Sequence, residues 1–578
     1  ATEWMLQAGK VQNLRCALRR LHCALIPADG TFSFWKQVGQ ATRRRGFAEG
    51  RLLREGCLMP AVGGGLCQLS NALYEVALQA DLPIVERWGH SSIVPDSAAA
   101  SGRDATIAWN YIDLRFRPTK DVLIEAFLTS DELVVRLRGR DGHGHEILAD
   151  ELQRSDVILN AARNERNEES PKASHDVSGL GDSSVASSLR MTSILFSRND
   201  KAPHDTKKNS SNSLFTRGDF ENARPLLNVQ AHSCGSCGND TCFRHGSFST
   251  TTQGRTAFLV DECWPEFQSF VEQNHQEQDV LALPLDGARW NQSRSRWKTD
   301  GFMKVHAATI STLRRSFAAR RLGAYGAARL QAQIDGAEKL AAHLSRALTT
   351  DVRHVVVAQP LLPFLWRDGH LGGRTFDVLM TRLPLHDLHT RLDDAASRHP
   401  ERKTLQEFRA PQWLVDAEQS ALQTAHVITP HSEIAKLFAG RVTRLKWNVP
   451  TQNFVSKNHS RMIAFPGPVA ARKGAYEVRA AARELGLKVL LLGSELEEDD
   501  FWDGLTVSRD STDWSEKVAA VVQPALIQDQ PRRLLQALAA GVPVISTEPC
   551  GLEATEGLTL VPVGDEQALI DALHVVLR

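Results

Sequence analysis

One short stretch of the sequence could supply a nucleophile. Residues 63–71 read Gly-Gly-Gly-Leu-Cys-Gln-Leu-Ser-Asn, and apolar residues then recur at roughly helical spacing as far as Pro83. Three glycines let the backbone adopt conformations that side chains forbid. The pattern predicts that Cys67 lies in the first turn of a helix, where unpaired amides and the helix dipole lower a thiol pKa. The alternative is a small buried cysteine beneath a tight turn.

Residues further along could complete a thiol–imidazole–carboxylate site around Cys67. His90 is the candidate base, and Asp113 is the candidate carboxylate that orients it, with Asp96 as the alternative. Gln68 or the amides of the glycine loop could stabilise an oxyanion. The competing interpretation is a buried cysteine and a histidine that satisfies backbone groups, because the sequence does not show that these residues meet.

A second group of cysteines has the spacing of metal ligands. Cys234, Cys237 and Cys242 follow the pattern C-x2-C-x4-C, and Cys263 comes further along the chain. Four thiolates would hold either tetrahedral zinc or an iron–sulfur cluster, and His245 in place of Cys263 would give a zinc site of three cysteines and one histidine. The alternative is a set of free thiols. The stretch 234–242 is similar to the cluster-binding stretch of proteins related to the corrinoid iron–sulfur protein, and this resemblance implies a 4Fe-4S cluster.

Length and charge exclude some classes of protein. A chain of 578 residues is too long for one hydrophobic core, so we expect several domains. The number of Lys and Arg residues equals the number of Asp and Glu residues, at 68 each. The chain therefore has no overall charge that would attract nucleic acid or a membrane surface. The sequence contains no apolar run of transmembrane length, which leaves only peripheral membrane contact open. The clustered cysteines suit a reducing compartment, so we expect a cytoplasmic protein.

The pattern of elements divides the chain into five parts. Residues 1–150 are predicted to form a mixed α+β domain, 151–228 a disordered linker or docking segment, and 229–250 the cysteine-rich site. Strands alternate with helices in 251–450 and again in 451–578. This alternation predicts an α/β pair of Rossmann-type domains with parallel sheets, whose ligands bind at the carboxyl ends of the strands.

The first domain resembles a known family. It is similar to the VanW family, which is named for an accessory protein of vancomycin-resistance operons. The segments that carry this resemblance are the glycine loop and residues 30–35, 86–91 and 110–115. The resemblance spans roughly residues 5–140. It implies a link to the cell envelope or peptidoglycan, in a family without a settled biochemical activity.

The last two domains resemble the GT-B glycosyltransferases of the retaining, nucleotide-sugar type. The resemblance is carried by residues 429–432, the Arg472-Lys473-Gly474 stretch and residues 534–545. It implies that Arg472 or Lys473 meets the donor diphosphate, where a cation neutralises the leaving group. Two glutamates typical of the family are replaced by Gln528 and Gln536, which can hydrogen-bond hydroxyls but lack the carboxylate charge. Either the donor is recognised differently or transferase activity has been lost.

Three functions follow from these patterns. The favoured one is a glycosyltransferase that moves a hexosyl group from a nucleotide-sugar to an envelope glycan or its precursor. The second is a non-catalytic binding or regulatory protein, with a degenerate transferase half and a structural or redox metal site. The third is a Cys67-dependent acyl-transfer or hydrolase activity in the VanW-like domain.

Overall fold

The structure is a computed structural model of the chain. It describes residues 2–154 apart from 55–56, 91, 94–101, 131 and 142–143, then residues 227–228, and then 254–577 apart from 321–326, 408, 452–459 and 511. The candidate carboxylate Asp96 lies outside the described residues, as do Cys234, Cys237, Cys242 and His245.

The N-terminal domain combines short helices with antiparallel sheets. Its helices are α1 (Thr2–Leu21), α2 (Phe34–Val38) and α3 (Cys67–Gln79). Its strands are β1 (Ala24–Ile26), β2 (Phe32–Ser33), β3 (Glu49–Arg54), β4 (Cys57–Val62), β5 (Ile84–Glu86), β6 (Ser92–Ile93), β7 (Arg115–Phe116), β8 (Val122–Leu128), β9 (Glu132–Asp141) and β10 (Gly144–Arg154). The sheet order is β1-β8-β9-β10, a second sheet runs β2-β7-β5, and β3 pairs with β4. Strand β6 pairs in parallel with β11 (Leu227–Asn228).

One apolar core holds this domain together. The inner face of α1 and the buried side of α3 pack with the alternating inward residues of β8, including Leu14, Leu73 and Ile124. Burial along β8 alternates residue by residue, which is the period of a strand with one face on the core. The core fixes α3, and therefore Cys67 at its start, against the sheet.

The middle domain is a seven-stranded parallel sheet covered by helices. Its elements are β12 (Arg255–Leu259), α4 (Pro265–Asn274), β13 (Val280–Leu283), β14 (Lys304–Ala307), α5 (Thr309–Arg320), α6 (Ala327–Leu344), β15 (Val352–Ala358), α7 (Leu362–Arg367), β16 (Thr375–Leu379), α8 (Leu385–Arg398), α9 (Gln412–Leu422), β17 (His426–Thr429), α10 (Ser432–Leu437) and β18 (Val442–Arg444). The strand order is β14-β13-β12-β15-β16-β17-β18, so the direction of winding reverses between β12 and β15.

The C-terminal domain repeats this plan on a smaller scale. Its elements are β19 (Met462–Phe465), α11 (Ala475–Leu485), β20 (Lys488–Leu491), β21 (Val507–Ser508), α12 (Trp514–Lys517), β22 (Ala520–Gln523), α13 (Arg532–Ala539), β23 (Val544–Ser546), β24 (Leu558–Leu560) and α14 (Glu566–Val576). The order β21-β20-β19-β22-β23-β24 reverses between β19 and β22. Every pairing in both sheets is parallel.

Both parallel sheets are apolar on their two faces. Along β12, Ala257 and Leu259 enter one core, whereas Phe258 and Val260 enter another. This is the pattern of a sheet with helices on both sides. The predicted pair of Rossmann-type α/β domains is confirmed.

Two local expectations are corrected. The alternating run at residues 105–116 predicts one continuous half-buried strand. The structure instead has a turn closed by a bridge between Ala108 and Ile112, and a strand only at 115–116. The β-prone stretch at 31–35 forms only the two-residue strand β2 before α2 begins, because the Ser33 hydroxyl accepts from the Lys36 amide and caps that helix.

Candidate functional site

The glycine loop is shaped by close backbone contact with the hairpin β3–β4. A Cβ on Gly64 would lie 2.3 Å from the carbonyl oxygen of Gly50, so only glycine fits there. The side chain of Asn13 on α1 donates to the Gly64 carbonyl at 2.9 Å. The loop is thus held from two sides, and it delivers Cys67 to the start of α3.

The structure brings Cys67 and His90 together, as the sequence predicts. The Cys67 thiol lies close enough to the His90 side chain and to the backbone of Ile107 for both to shift its pKa, and its sulfur is 3.9 Å from the Thr106 hydroxyl. Cys67 as a residue is half-buried. A thiol and an imidazole are therefore neighbours at a position that is not sealed from solvent.

The carboxylate that orients His90 is Asp104. Its Oδ2 accepts from the His90 Nδ1 at 2.5 Å and from the His90 amide at 2.6 Å. The Arg87 guanidinium donates to its Oδ1 at 2.8 Å, and the side chain is only 3 % exposed. Because Nδ1 is engaged by Asp104, Nε2 is the ring nitrogen available to Cys67. The arrangement has the order of a thiol–imidazole–carboxylate triad.

Asp113, the carboxylate favoured by the sequence, serves another purpose. It accepts from the Ser33 hydroxyl at 2.5 Å and from the Trp35 amide at 3.1 Å, and Arg115 lies 3.0 Å away. It therefore joins β2 and α2 to the start of β7 and does not contact His90. Nothing in the local sequence distinguishes Asp104 from the other aspartates of this domain. Only the fold shows which aspartate contacts His90.

The electrostatics favour a charged pair. Burial disfavours the Cys67 thiolate, but hydrogen bonding to His90 and its positive charge outweigh that cost and lower the pKa of the thiol below its usual value. Burial likewise opposes the His90 cation, yet the hydrogen bonds to Asp104 and Cys67 raise the pKa of His90 to about 9. The Asp104 pKa is lowered by His90 and Arg87 against the effect of burial. These shifts act in the same direction, towards a thiolate beside an imidazolium.

Gln68 adjoins the thiol in α3. Its Oε1 is buried and has no hydrogen-bond partner among the described residues. The amide of Cys67 has no backbone acceptor there either, as expected at a helix start. An oxyanion role for these groups stays a prediction.

A second candidate site is the cleft between the two parallel-sheet domains. The cleft measures about 610 Å³. It is lined by Asp261 and Gln359, which follow β12 and β15, and by Gly467 beyond β19. The carboxyl ends of these strands meet at the points where the winding reverses, which is where doubly wound sheets bind ligands.

Three of the four predicted donor-binding residues line this cleft. The residues that line it are Arg472, Lys473 and Gln528. Gln536 instead lies on α13, where its Oε1 accepts from Arg533. The Lys473 ammonium donates to the Ile527 carbonyl at 2.7 Å and to the Gln528 side chain at 2.6 Å. Burial, the main cause, lowers the pKa of Lys473 to about 8; the charge of Asp529 opposes this shift and that of Arg472 adds to it.

The cleft is closed on one side by contacts between its two domains. The His431 Nε2 donates to the Gln528 carbonyl at 2.9 Å. On α13, Arg532 forms a bidentate ion pair with Glu266 of α4, one of its two bonds being 2.7 Å. The Arg532 guanidinium also lies over the rings of Trp264 and Trp447, at 5.1 and 5.4 Å.

Of the predicted metal ligands, only Cys263 lies among the residues that the structure describes. Its thiol donates to the Gln268 side chain at 2.9 Å, and burial raises the pKa of the thiol to about 12. Within the described part of the chain, no group of three or more His, Cys, Asp or Glu side chains is arranged to hold a metal ion. The other proposed ligands lie outside it, so the metal stays a prediction.

Comparison with known proteins identifies the first domain. Residues 9–138 match the family described as VanW like protein. The chain is 36 % identical over 133 residues to the Vancomycin B-type resistance protein VanW of Enterococcus faecalis, which covers 22 % of this chain and 48 % of that protein. It is 32 % identical over 135 residues to the uncharacterized protein YoaR of Bacillus subtilis, covering 23 % and 44 %. The N-terminal domain is a VanW-like domain, and the chain spans less than half the length of these relatives.

Solved structures similar to this chain are glycosyltransferases and related synthases. Sucrose-phosphate synthase of Thermosynechococcus elongatus is 13 % identical with a TM-score of 0.37, over 56 % of this chain and 90 % of that one. Anabaena HepE in complex with UDP is 13 % identical with a TM-score of 0.33, over 56 % and 89 %. The galactosyltransferase WaaB is 12 % identical with a TM-score of 0.32, over 56 % and 90 %. The GT-B-like fold assignment rests on the two parallel sheets and the cleft between them.

One further observation concerns membranes. Among the helices that the structure describes, none combines the length and the apolar character needed to cross a bilayer.

Proposed function

We propose that Cys67 is the nucleophile of a thiol-dependent acyl-transfer or hydrolase reaction in the VanW-like domain. The observation that carries the proposal is the proximity of the Cys67 thiol to the His90 imidazole, whose Nδ1 is fixed by the buried Asp104. Of the candidate sites, this is the one where nucleophile, base and orienting carboxylate are all in contact.

The reaction follows from the charge states. The thiolate attacks an acyl carbonyl, a carbon–sulfur bond forms, and the bond to the leaving amine or alkoxide breaks. The His90 imidazolium gives its proton to that leaving group. Water or a second amine, deprotonated by the now neutral His90, then attacks the thioester and releases Cys67.

Acylation by p-nitrophenyl acetate tests this proposal. The full chain should release a burst of p-nitrophenolate, and mass spectrometry should find the acetyl group on Cys67. Cys67→Ala should abolish both signals. Cys23→Ala is the matched control, because Cys23 is a surface cysteine of the same domain whose partly desolvated thiol has a raised rather than a lowered pKa. An equal burst from Cys67→Ala protein would refute the nucleophile.

We further propose that the interdomain cleft binds a nucleotide-sugar and supports glycosyl transfer to an envelope glycan or precursor. Its support is the convergence of Arg472 and Lys473 on the carboxyl ends of both sheets, where cations can neutralise a diphosphate. Gln528, which stands where the resembled family has a glutamate, accepts from Lys473. The donor's hydroxyls would then meet an amide rather than a carboxylate.

Nucleotide binding and turnover separate a transferase from a binding protein. Calorimetry with UDP, GDP and ADP should show one preferred nucleotide, with affinity at least about tenfold weaker in Arg472→Gln. Lys517→Gln is the control, because Lys517 pairs with Asp510 on the outside of the same domain. Binding without hydrolysis or transfer of the matching nucleotide-sugar would favour the non-catalytic alternative. Absence of all nucleotide binding would end the proposal.

The cysteine-rich segment is proposed to hold an iron–sulfur cluster or zinc. Metal analysis and absorption spectra of anaerobically purified protein test this. An iron–sulfur cluster should give a visible absorption band, zinc should give none, and Cys237→Ala should lose the metal in either case. Protein free of both metals would exclude the site.

A further inference from the structure

Asp529 places a carboxylate in the interdomain cleft without a hydrogen bond to satisfy it. The residue lines the cleft together with Arg472, Lys473 and Gln528. Its Oδ1 is buried, and among the described residues this oxygen has no hydrogen-bond partner. A buried carboxylate oxygen without a donor destabilises the fold, because its hydration is lost and no donor replaces it. An atom of this kind is explained if a ligand in the cleft supplies the donor.

The loop that carries Asp529 is anchored to the Arg472-Lys473 stretch. The Leu526 amide donates to the Arg472 carbonyl at 3.0 Å. The Gln528 side chain, one residue before Asp529, accepts from Lys473 at 2.6 Å. These bonds fix the backbone that leads to the carboxylate before any ligand arrives, which reduces the entropy lost on binding.

Asp529 lies within electrostatic reach of both halves of the cleft. Burial is the main cause that lowers the pKa of Lys473 in the C-terminal domain and the pKa of His431 in the middle domain. The negative charge of Asp529 opposes both shifts. The carboxylate therefore lies near both domains, at the seam where a ligand would be enclosed between them.

The surroundings of Asp529 select the kind of group that it could bind. A cationic ligand would be repelled by Arg472 and Lys473, which line the same cleft. Within the described part of the chain, no set of three or more His, Cys, Asp or Glu side chains is arranged to hold a metal ion there. The oxygens of a diphosphate accept hydrogen bonds, so they cannot satisfy a carboxylate. A neutral hydroxyl can donate to it.

We propose that Asp529 accepts a hydrogen bond from a sugar hydroxyl of the nucleotide-sugar whose diphosphate meets Arg472 and Lys473. Cations would then hold the phosphates and the unsatisfied carboxylate would hold a hydroxyl, so the two kinds of group in the cleft match the two kinds of group in one ligand. Gln528 offers the donor's hydroxyls only a neutral amide, and the carboxylate that it lacks stands one residue further on. The inference rests on the proposed nucleotide-sugar site. The hydroxyl belongs either to the hexose or to the ribose, which present the same chemistry.

Calorimetric titration of the full chain with UDP-glucose, GDP-mannose and ADP-glucose tests this assignment, each compared with its sugar-free diphosphate. We expect Asp529→Asn to weaken the preferred nucleotide-sugar at least about fivefold, because an amide oxygen is a weaker acceptor than a carboxylate. Loss of a negative charge beside Arg472 and Lys473 would by itself tighten binding of the phosphates, so a weaker affinity reports a lost hydroxyl bond. Pyrophosphate carries no hydroxyl, and its competition against the nucleotide should be as strong or stronger in Asp529→Asn.

Asp503→Asn is the matched control, because Asp503 is an exposed aspartate of the same domain outside the lining of the cleft. The melting temperature of Asp529→Asn should not fall, since the Oδ1 that is replaced accepts no hydrogen bond from the described residues. Weakening of the nucleotide-sugar alone would assign the hydroxyl to the hexose. Equal weakening of the sugar-free nucleotide would assign it to the ribose.

The outcomes separate this inference from the proposed function. If the unmodified chain binds nucleotides and Asp529→Asn binds the nucleotide-sugar as tightly or more tightly, the inference falls and the nucleotide site stands. Equal weakening by Asp503→Asn, or a weakening that accompanies a lower melting temperature, would overturn it as well. Weakening that appears with Mg²⁺ and not with EDTA would overturn it in favour of a bridging metal ion. No nucleotide binding by the unmodified chain would end both.

Discussion

At the scale of single residues, the reactivity of Cys67 depends on its neighbours more than on its helix. The start of α3 offers unpaired amides to a thiolate. The His90 side chain, however, is the main group that lowers the thiol pKa, and His90 is itself kept charged by Asp104. The thiolate–imidazolium pair persists from the lowered thiol pKa up to about pH 9, where His90 loses its proton.

Replacing Asp104 should shift the pH dependence of Cys67 alkylation. In Asp104→Asn the imidazolium loses its anionic partner, the pKa of His90 falls, and the pKa of the thiol rises towards its ordinary value. A thiol with a higher pKa has a smaller thiolate fraction at pH 7, so alkylation by iodoacetamide at pH 7 should slow, and the rise of the rate with pH should move to higher pH. The rate measured from pH 5 to pH 10 checks this.

Asp113→Asn provides the control for that experiment. Because Asp113 bonds Ser33 and Trp35 and does not contact His90, its replacement should leave the alkylation profile unshifted even if the domain becomes less stable. A profile shifted by Asp113→Asn and unchanged by Asp104→Asn would contradict the assignment of the triad.

At the scale of elements, helices α4 and α13 are joined across the cleft by one arginine. The Glu266 carboxylate on α4 is 1 % exposed, and Arg532 on α13 is its bidentate partner. The Asn448 amide also donates to Glu266, at 2.6 Å. The rings of Trp264 and Trp447 lie on the guanidinium. Removing the arginine would leave a buried carboxylate without its cation, which is far costlier than losing a surface pair.

Arg532→Ala should therefore destabilise the cleft by about 3 kcal/mol or more. Arg532→Lys should recover only part of this, because an ammonium cannot reproduce the bidentate, stacked geometry. Calorimetric melting of the full chain measures the effect. Arg509→Ala is the control, since Arg509 pairs with Glu495 at the surface of the same domain and should change the melting temperature little. Equal effects of Arg532→Ala and Arg509→Ala would show that the pair contributes no special stability.

At the scale of the whole molecule, the VanW-like domain is docked on the middle domain. The Arg15 side chain of α1 donates to the Gly372 carbonyl at 2.7 Å, and the Gly373 amide donates to the Thr129 carbonyl at 2.7 Å. Arg19 lies 2.7 Å from the His370 Nδ1. Burial, followed by the charges of Arg19, Arg374 and Arg15, lowers the pKa of His370 to about 3. The interface therefore requires a neutral histidine.

This interface should lose stability in mild acid. Between about pH 6.5 and pH 3 the unfolded chain binds a proton at His370 and the folded chain does not, so His370 lowers stability by up to about 1.4 kcal/mol per pH unit as pH falls. His370→Gln keeps an acceptor for Arg19 and removes the proton site. Its melting temperature should fall less than that of the unmodified chain between pH 7 and pH 4. Parallel losses in the two proteins would contradict this role for His370.

Much of the architecture was determined by the sequence alone. Alternating buried strands and amphipathic helices after residue 251 predicted two parallel-sheet domains, because that order of elements permits few other solutions. The glycine loop before a helical pattern predicted the position of Cys67 at a helix start. Residue types also pointed to His90 as its base; the structure places the two side chains together, and the base role stays a prediction. These signals are local or repetitive, so they can be recognised in the sequence without knowledge of the fold.

Tertiary structure decided which distant side chains meet. The carboxylate that contacts His90 is Asp104 rather than Asp113, because the fold brings Asp104 to the side chains of Arg87 and His90 while Asp113 accepts from Ser33. Gln528 reaches the cleft and Gln536 turns away from it, although both lie near the same helix. Such contacts depend on long-range chain pairing, and no local pattern in the sequence encodes which of several similar residues will take part.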